Sequence, residues 1–198
     1  MIKTDMRICV YGAASPTIDK YYIVATEQMG EMLAKRGHGL VFGAGANGLM
    51  GAAARGFEKG NGHIIGVIPK FFENENIEAI FANCNELILT ETMRERKQIM
   101  EDKADAFIVV PGGIGTYEEF FENLTLKQLC RHKKPIAIYN LFRYNNESNA
   151  AMMSAIKKEF IKDSCKELYF ISDNLDNLVE YIEAPIEDNY NIKDFKNG

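Results

Sequence analysis

Ala106-Phe107-Ile108-Val109-Val110-Pro111-Gly112-Gly113-Ile114-Gly115-Thr116-Tyr117-Glu118-Glu119 is the stretch from which the architecture can be read. The apolar run Ala106–Val110 has the character of a buried strand, and the glycines after it make a turn. From Tyr117 onward Phe120, Phe121, Leu124 and Leu129 fall near helical spacing, with Glu122, Lys127 and Arg131 between them. A strand that passes through glycines into a helix leaves free N–H groups at the positive end of the helix dipole. Because glycine has no Cβ, an anion can approach that backbone, so the turn is a phosphate site in the making. Thr116 adds a hydroxyl, and Glu119 is expected on the first turn of the helix. A carboxylate beside a phosphate cradle suits chemistry on a phosphorylated small molecule rather than binding alone.

The same strand–turn–helix alternation extends in both directions. Strands are predicted at Arg7–Tyr11, Gly39–Phe42, His63–Ile68, Glu86–Thr90, Ala106–Val110, Pro135–Tyr139 and Leu168–Ile171. Helices are predicted at Asp19–Arg36, Leu49–Lys59, Met93–Asp102, Tyr117–Arg131, Asn149–Phe160 and Asn174–Glu183. The strands are rich in Val and Ile and bounded by Gly, Pro or Asn, as parallel strands buried on both faces are. Repeated βα units give an α/β fold: a Rossmann-like, doubly wound parallel sheet of about seven strands with helices on both faces. The expectation is a single domain over residues 1–198 with a loose polar tail at about 187–198, no linker and no internal repeat. Ligands of such folds bind outside the carboxyl ends of the strands, where all the glycine turns of this chain fall.

Composition narrows the partners. The chain has 198 residues, 46% hydrophobic and 26% charged, enough for a real core. A net charge of −5 argues against a nucleic-acid polymer or an anionic membrane as partner, since both reward excess Lys and Arg, but leaves a mononucleotide open. No apolar run approaches membrane-spanning length, and the N-terminus enters the first strand without a signal-peptide core. Cys9, Cys84, Cys130 and Cys165 are scattered without a C-x-x-C pair, which reads most simply as reduced thiols in a cytoplasmic protein.

Each further motif has a sharp reading and a bland one. Gly43-Ala44-Gly45-Ala46-Asn47-Gly48 spells the dinucleotide fingerprint, but that motif normally follows the first strand. The next strand here ends Val67-Ile68-Pro69-Lys70, without the acid that would hold a ribose. NAD is therefore disfavoured, and a tight turn lining a shared cleft is the better reading. Ser15, in the turn Gly12-Ala13-Ala14-Ser15-Pro16, is equally good as a ribose or phosphate contact and as a helix-entry residue. Thr92 and Glu95 have capping-box spacing. Arg94, Arg96 and Lys97 crowd positive charge onto a helix N-terminus, which an anion would justify, although a solvated charged face explains it as well. His38, His63 and His132 have no metal-ligand spacing and read as surface or loop residues, so no metal is expected. Neither a hydrolase nucleophile elbow nor a P-loop ending is present.

Taken together, these motifs resemble the LONELY GUY (LOG) family. Pro111 to Glu119 resembles its P-G-G-x-G-T-x-x-E signature, Met93-Arg94-Glu95-Arg96-Lys97 its M-H-E-R-K motif, Gly43 to Gly51 its G-G-G-x-x-G-L-M-G turn, and Cys9 to Ser15 its opening strand and turn. The resemblance runs from about Arg7 to about Ala184. It implies a phosphoribohydrolase that cleaves the N-glycosidic bond of a purine or cytokinin nucleoside 5′-monophosphate, such as AMP or isopentenyladenosine monophosphate, to free base and ribose 5-phosphate. It further implies a homodimer that needs no cofactor. Carried over by motif, Arg96 and Glu119 are the catalytic pair, and Gly112, Gly113, Gly115 and Thr116 hold the 5′-phosphate. Met93, Arg94, Lys97, Ser15, Gly43 and Gly45 are the remaining substrate contacts. Arg94 stands where His is usual and Ala44 replaces a glycine, departures that bear on base preference and pocket shape. Relatives are often labelled lysine decarboxylases, yet no lysine here has a recognisable pyridoxal-phosphate setting. The alternative is a non-catalytic nucleotide or molybdenum-cofactor carrier, which would share the glycine turns and release no base.

Overall fold

The computed structural model describes residues 5–75, 77–186 and 191–196. Seven strands form one sheet: β1 (Arg7–Tyr11), β2 (Gly39–Phe42), β3 (Ile64–Pro69), β4 (Glu86–Thr90), β5 (Ala106–Val109), β6 (Ile136–Tyr139) and β7 (Phe170–Ser172). Their spatial order is β4-β3-β2-β1-β5-β6-β7, and every pairing is parallel. The first four strands build outward from β1 on one side and the last three on the other. The winding therefore reverses between β1 and β5, which leaves a crevice at their carboxyl ends.

Alternation along the strands assigns side chains to two cores. Ile8, Val10, Leu40, Phe42 and Ile108 face α1 (Lys20–Lys35), α2 (Gly48–Lys59) and α7 (Leu175–Glu183), where they meet Met29, Leu33, Phe57 and Leu178. Cys9, Val41, Val67, Phe107 and Ile138 face α4 (Met93–Lys103) and α5 (Ile114–Gln128), meeting Met100, Phe120 and Leu124. Period-two alternation with both faces covered is what turns these short strands into near-continuous apolar runs. The helices start where their caps allow. Asp19 accepts the Tyr21 N–H at 3.0 Å, and Thr92 accepts the Glu95 N–H at 3.1 Å. The reciprocal arm of that second box is displaced by one residue, because Glu95 accepts from Glu91 N–H rather than from Thr92.

The doubly wound sheet and all seven strands match the sequence reading, with several boundaries corrected. α5 begins at Ile114 rather than Tyr117, so Gly113 is its N-cap and Glu119 falls on its second turn, not its first. β7 lies at Phe170–Ser172 because Leu168 closes a 3-10 turn, Asp163–Leu168. α6 spans Asn146–Lys157, three residues ahead of the predicted segment. Two short helices were not anticipated: α3 (Lys70–Asn74) and α8 (Ile192–Phe195). α8 falls in the predicted loose tail, yet Phe195 is buried against the α4–α5 core; residues 187–190 and 197–198 of that tail lie outside the described residues. His38 occupies a loop but is buried, contrary to the surface reading. Its Nδ1 accepts Met6 N–H at 3.3 Å, so its Nε2 is the donor to Glu183, 2.9 Å away. No helix is long and apolar enough to cross a membrane among the described residues.

Candidate active site

At the β1/β5 crevice three turns are stitched together by main chain. Ala13 N–H donates to the Pro111 carbonyl at 3.1 Å, and the Ala13 carbonyl accepts Leu49 N–H at 2.7 Å. The turn after β1 thus holds the turns after β5 and β2. Tyr144 adds a side-chain anchor, its hydroxyl donating to the Gly112 carbonyl at 2.9 Å. Beside these turns opens an apolar pocket whose walls include Ala13, Tyr22, Leu49, Gly113 and Tyr144, with Ser15 at its lining. Ser15 is exposed, and its hydroxyl pairs locally with that of Thr17 at 3.0 Å.

The N-terminus of α5 has the features an anion site needs. The first intrahelical bond is Tyr117 N–H to the Gly113 carbonyl at 3.0 Å, so the amides of Ile114, Gly115 and Thr116 precede the helical ladder. Gly113 supplies no capping side chain, and no acidic residue occupies the first turn. A Cβ at Gly113 or Gly115 would meet nothing within 4 Å, so these glycines border open space. Thr116 is buried against Gly112.

One and a half turns further on, Glu119 is 7% exposed and faces Arg96, 6% exposed, on the first turn of α4. Arg96 Nη1 donates to Glu119 Oε1 at 3.2 Å, and its Nε donates to the Val67 carbonyl at 3.2 Å. Its Nη2 lies against Gly43, where any Cβ would overlap it, so only glycine lets the guanidinium sit under the end of β2. Burial raises the Glu119 pKa to about 7, outweighing the opposing pull of Arg96. The Arg96 charge favours the ionised carboxylate, but burial prevails and leaves Glu119 poised near neutrality, where a proton-transfer group works best.

The remaining predicted residues divide. Gly43 and Gly45 are buried in the turn after β2, Gly43 against Arg96, and Gly45 forms an isolated antiparallel bridge with Ile80 of the α3–β4 connection. Lys97 is half-buried but engaged, pairing with Glu118 and, at 2.6 Å, with Glu122, so it clamps α4 to α5. Met93 and Arg94 are exposed at the head of α4. The sequence reading did not single out Tyr11, Asn123 or Tyr144. Asn123 Nδ2 donates to Tyr11 Oη at 3.0 Å and to the Glu119 carbonyl at 3.1 Å, fixing the turn that carries Glu119. Asn123 stands four residues beyond Glu119, one helical turn away, which is the signal that could have found it. Among the described residues no cluster of His, Cys, Asp and Glu is placed to hold a metal ion.

The family model described as "Possible lysine decarboxylase" matches residues 50–182. A protein of Oryza sativa subsp. japonica named "Probable cytokinin riboside 5′-monophosphate phosphoribohydrolase" is 36% identical over 90% of this chain and 74% of its own length. The cytokinin riboside 5′-monophosphate phosphoribohydrolase of Mycobacterium tuberculosis is 38% identical over 88% of this chain and 91% of that protein. Among solved structures, the molybdenum cofactor carrier protein of Chlamydomonas reinhardtii superposes with a TM-score of 0.68, covering 88% of this chain and 94% of that one. Its sequence identity of 21% makes this a likeness of fold alone. With its motifs meeting at one crevice and relatives matched over most of its length, the chain belongs to the LOG family.

Proposed function

We propose that the protein is a phosphoribohydrolase that splits the N-glycosidic bond of a nucleoside 5′-monophosphate into free base and ribose 5-phosphate. The observation that carries this reading is the buried Arg96–Glu119 pair set one and a half helical turns beyond the open amides of α5. The printed names of the relatives support it. In this reading Gly112, Gly113, Gly115 and Thr116 take the 5′-phosphate at the positive end of α5, which anchors the sugar with C1′ toward Glu119. As the bond to the base breaks, positive charge develops on the sugar, and an ionised Glu119 stabilises it only then, which lowers the barrier rather than merely tightening binding. With its pKa near 7, the same carboxylate accepts a proton from the attacking water. Arg96 orients Glu119 and contacts substrate. Gly43 and Gly45 keep the cleft floor clear, Lys97 fixes α4 on α5, and Ser15, Met93 and Arg94 border the cleft.

A homodimer is part of this reading. Edge strand β4 exposes Leu87 and Leu89, and Met93 and Phe121 add apolar surface on α4 and α5, a pattern that a second copy would cover. Four free cysteines support a reducing, cytoplasmic setting. The test is incubation of purified protein with AMP and with isopentenyladenosine monophosphate, reading free base and ribose 5-phosphate by chromatography. Base release that falls at least about 100-fold in Glu119→Gln is expected. Binding of both nucleotides without base release would refute hydrolysis and leave a carrier.

A further inference from the structure

The buried face of α5 carries Thr116, Glu119, Asn123 and Lys127, so the helical repeat that brings Glu119 to the cleft also turns a lysine inward about two turns later. Lys127 is 7% exposed, whereas a lysine ordinarily keeps its ammonium in water or pairs it. Among the described residues that ammonium has no hydrogen-bond or ion-pair partner, and no carboxylate acts on it. Burial alone lowers its pKa, to about 8, so at pH 7 the amine still carries its proton in about nine molecules of ten. The neighbours add positive charge rather than relieve it. Burial, then Lys134 and Lys127, lower the pKa of nearby His132 to about 4. Lys134 itself is engaged, donating to the Glu101 carbonyl at 2.6 Å.

Lys127 lines a cavity of about 220 Å³ at the amino end of the sheet, whose other walls include Lys133, Pro135, Tyr181, Pro185 and Ile186. Tyr181 is held in place by stacking on Phe170, with ring centroids 4.8 Å apart. Eight residues of helix separate Lys127 from Glu119, about 12 Å along the axis, so the cavity lies away from the glycine turns. A water's share of the liquid is about 30 Å³, which makes the cavity larger than a bare ion needs.

We propose that this cavity binds a small monocarboxylate with an apolar body, its carboxylate on the Lys127 ammonium and its hydrocarbon against Pro135, Tyr181, Pro185 and Ile186. The inference goes beyond the phosphoribohydrolase reading and stands without it. A buried charge without a counterion is costly, and a bound carboxylate removes that cost while adding a charge-assisted hydrogen bond. Lys133 already has a contact of its own, so one positive charge is left to match. A carboxylate brings one negative charge, whereas a phosphate dianion would bring a second between mostly apolar walls.

The test labels lysine Cε with carbon-13 and follows the Lys127 cross-peak, assigned by its loss in Lys127→Met, as formate, 3-methylbutyrate, benzoate or inorganic phosphate is added. Reading Lys127 itself separates this cavity from the anion site proposed at the start of α5. Saturable movement of the peak is expected, with dissociation constants of order 1 mM for 3-methylbutyrate and benzoate. Formate should bind at least about tenfold more weakly, having no hydrocarbon to bury, and phosphate no tighter than formate. In Lys127→Met the Lys133 cross-peak, which reports the same cavity, should need at least about tenfold more benzoate for the same movement. That variant should also melt no lower than the wild type, because removing the ammonium orphans no partner. A Lys127 peak that no carboxylate moves overturns the proposal, as does equal affinity for formate and benzoate. A variant that melts lower would show that the ammonium already has a counterion within the chain, and overturns it too.

Discussion

Replacing Glu119 with Gln should change how stability depends on pH, not only whether the protein turns over. The Glu119 carboxyl has an ordinary value of 4.5 and sits at about 7 in the fold because burial disfavours its charge. A carboxyl whose pKa is higher folded than unfolded binds its proton more tightly in the native state. Its favourable contribution is complete below 4.5 and is lost as pH rises through about 7. At about 1.4 kcal/mol per pH unit, the interval from 4.5 to about 7 amounts to about 3 kcal/mol, most of it between about pH 5 and about pH 8. Glu119→Gln mimics the protonated form and keeps the Arg96 contact, so it should not titrate. Urea unfolding of both proteins at fixed concentration across this range gives two stability curves. The wild-type curve should fall relative to the variant's by about 2 to 3 kcal/mol between about pH 5 and about pH 8. Other titrating groups are common to both proteins and cancel. Curves that stay parallel within about 0.5 kcal/mol would refute the claim that burial outweighs Arg96 at this carboxyl.

Three further outcomes follow from the same geometry. If the ionised Glu119 is the working form, kcat/KM for base release should fall about tenfold per pH unit below about 7, and a flat acid limb down to about pH 5 would exclude it. Gly43→Ala places a methyl on Arg96 Nη2 and should lower kcat at least about 100-fold with a smaller change in KM, because the turn at the start of α5, the proposed phosphate site, is untouched; steady-state kinetics separates the two. Arg143 is exposed with φ of 63°, in the left-handed region that costs a side chain about 1 to 2 kcal/mol. Arg143→Gly, after the entropy glycine regains on unfolding, should raise stability by about 0.5 to 1 kcal/mol in urea titration.

The sheet was legible because parallel strands covered on both faces cannot avoid being apolar runs, and the turn residues between them are few. Boundaries failed where a local signal pointed the wrong way. Ile114 stands between glycines and reads as part of the turn, yet it is 91% exposed on the first turn of α5, and Gly113 gives no side-chain cap to mark the start. The catalytic candidates were legible because Arg96 and Glu119 each sit in a local motif. Their shared burial, and hence the raised pKa, depends on α4 and α5 packing against the same sheet face, which no local pattern encodes. His38 and Glu183 are 145 residues apart, and Lys127 acquires its cavity only when the residues after α7 come beside the end of α5.

Ala13 holds its neighbours through its amide and its carbonyl, groups that nearly every residue carries. The scaffold of the crevice is therefore largely indifferent to side-chain identity at its central joint. Drift in the surrounding residues can reshape what the cleft admits while the three turns keep their positions. New cleft shapes are thus reachable by single substitutions, and the step that would unfasten the turns after β1 and β5 is loss of that one N–H, as in Ala13→Pro.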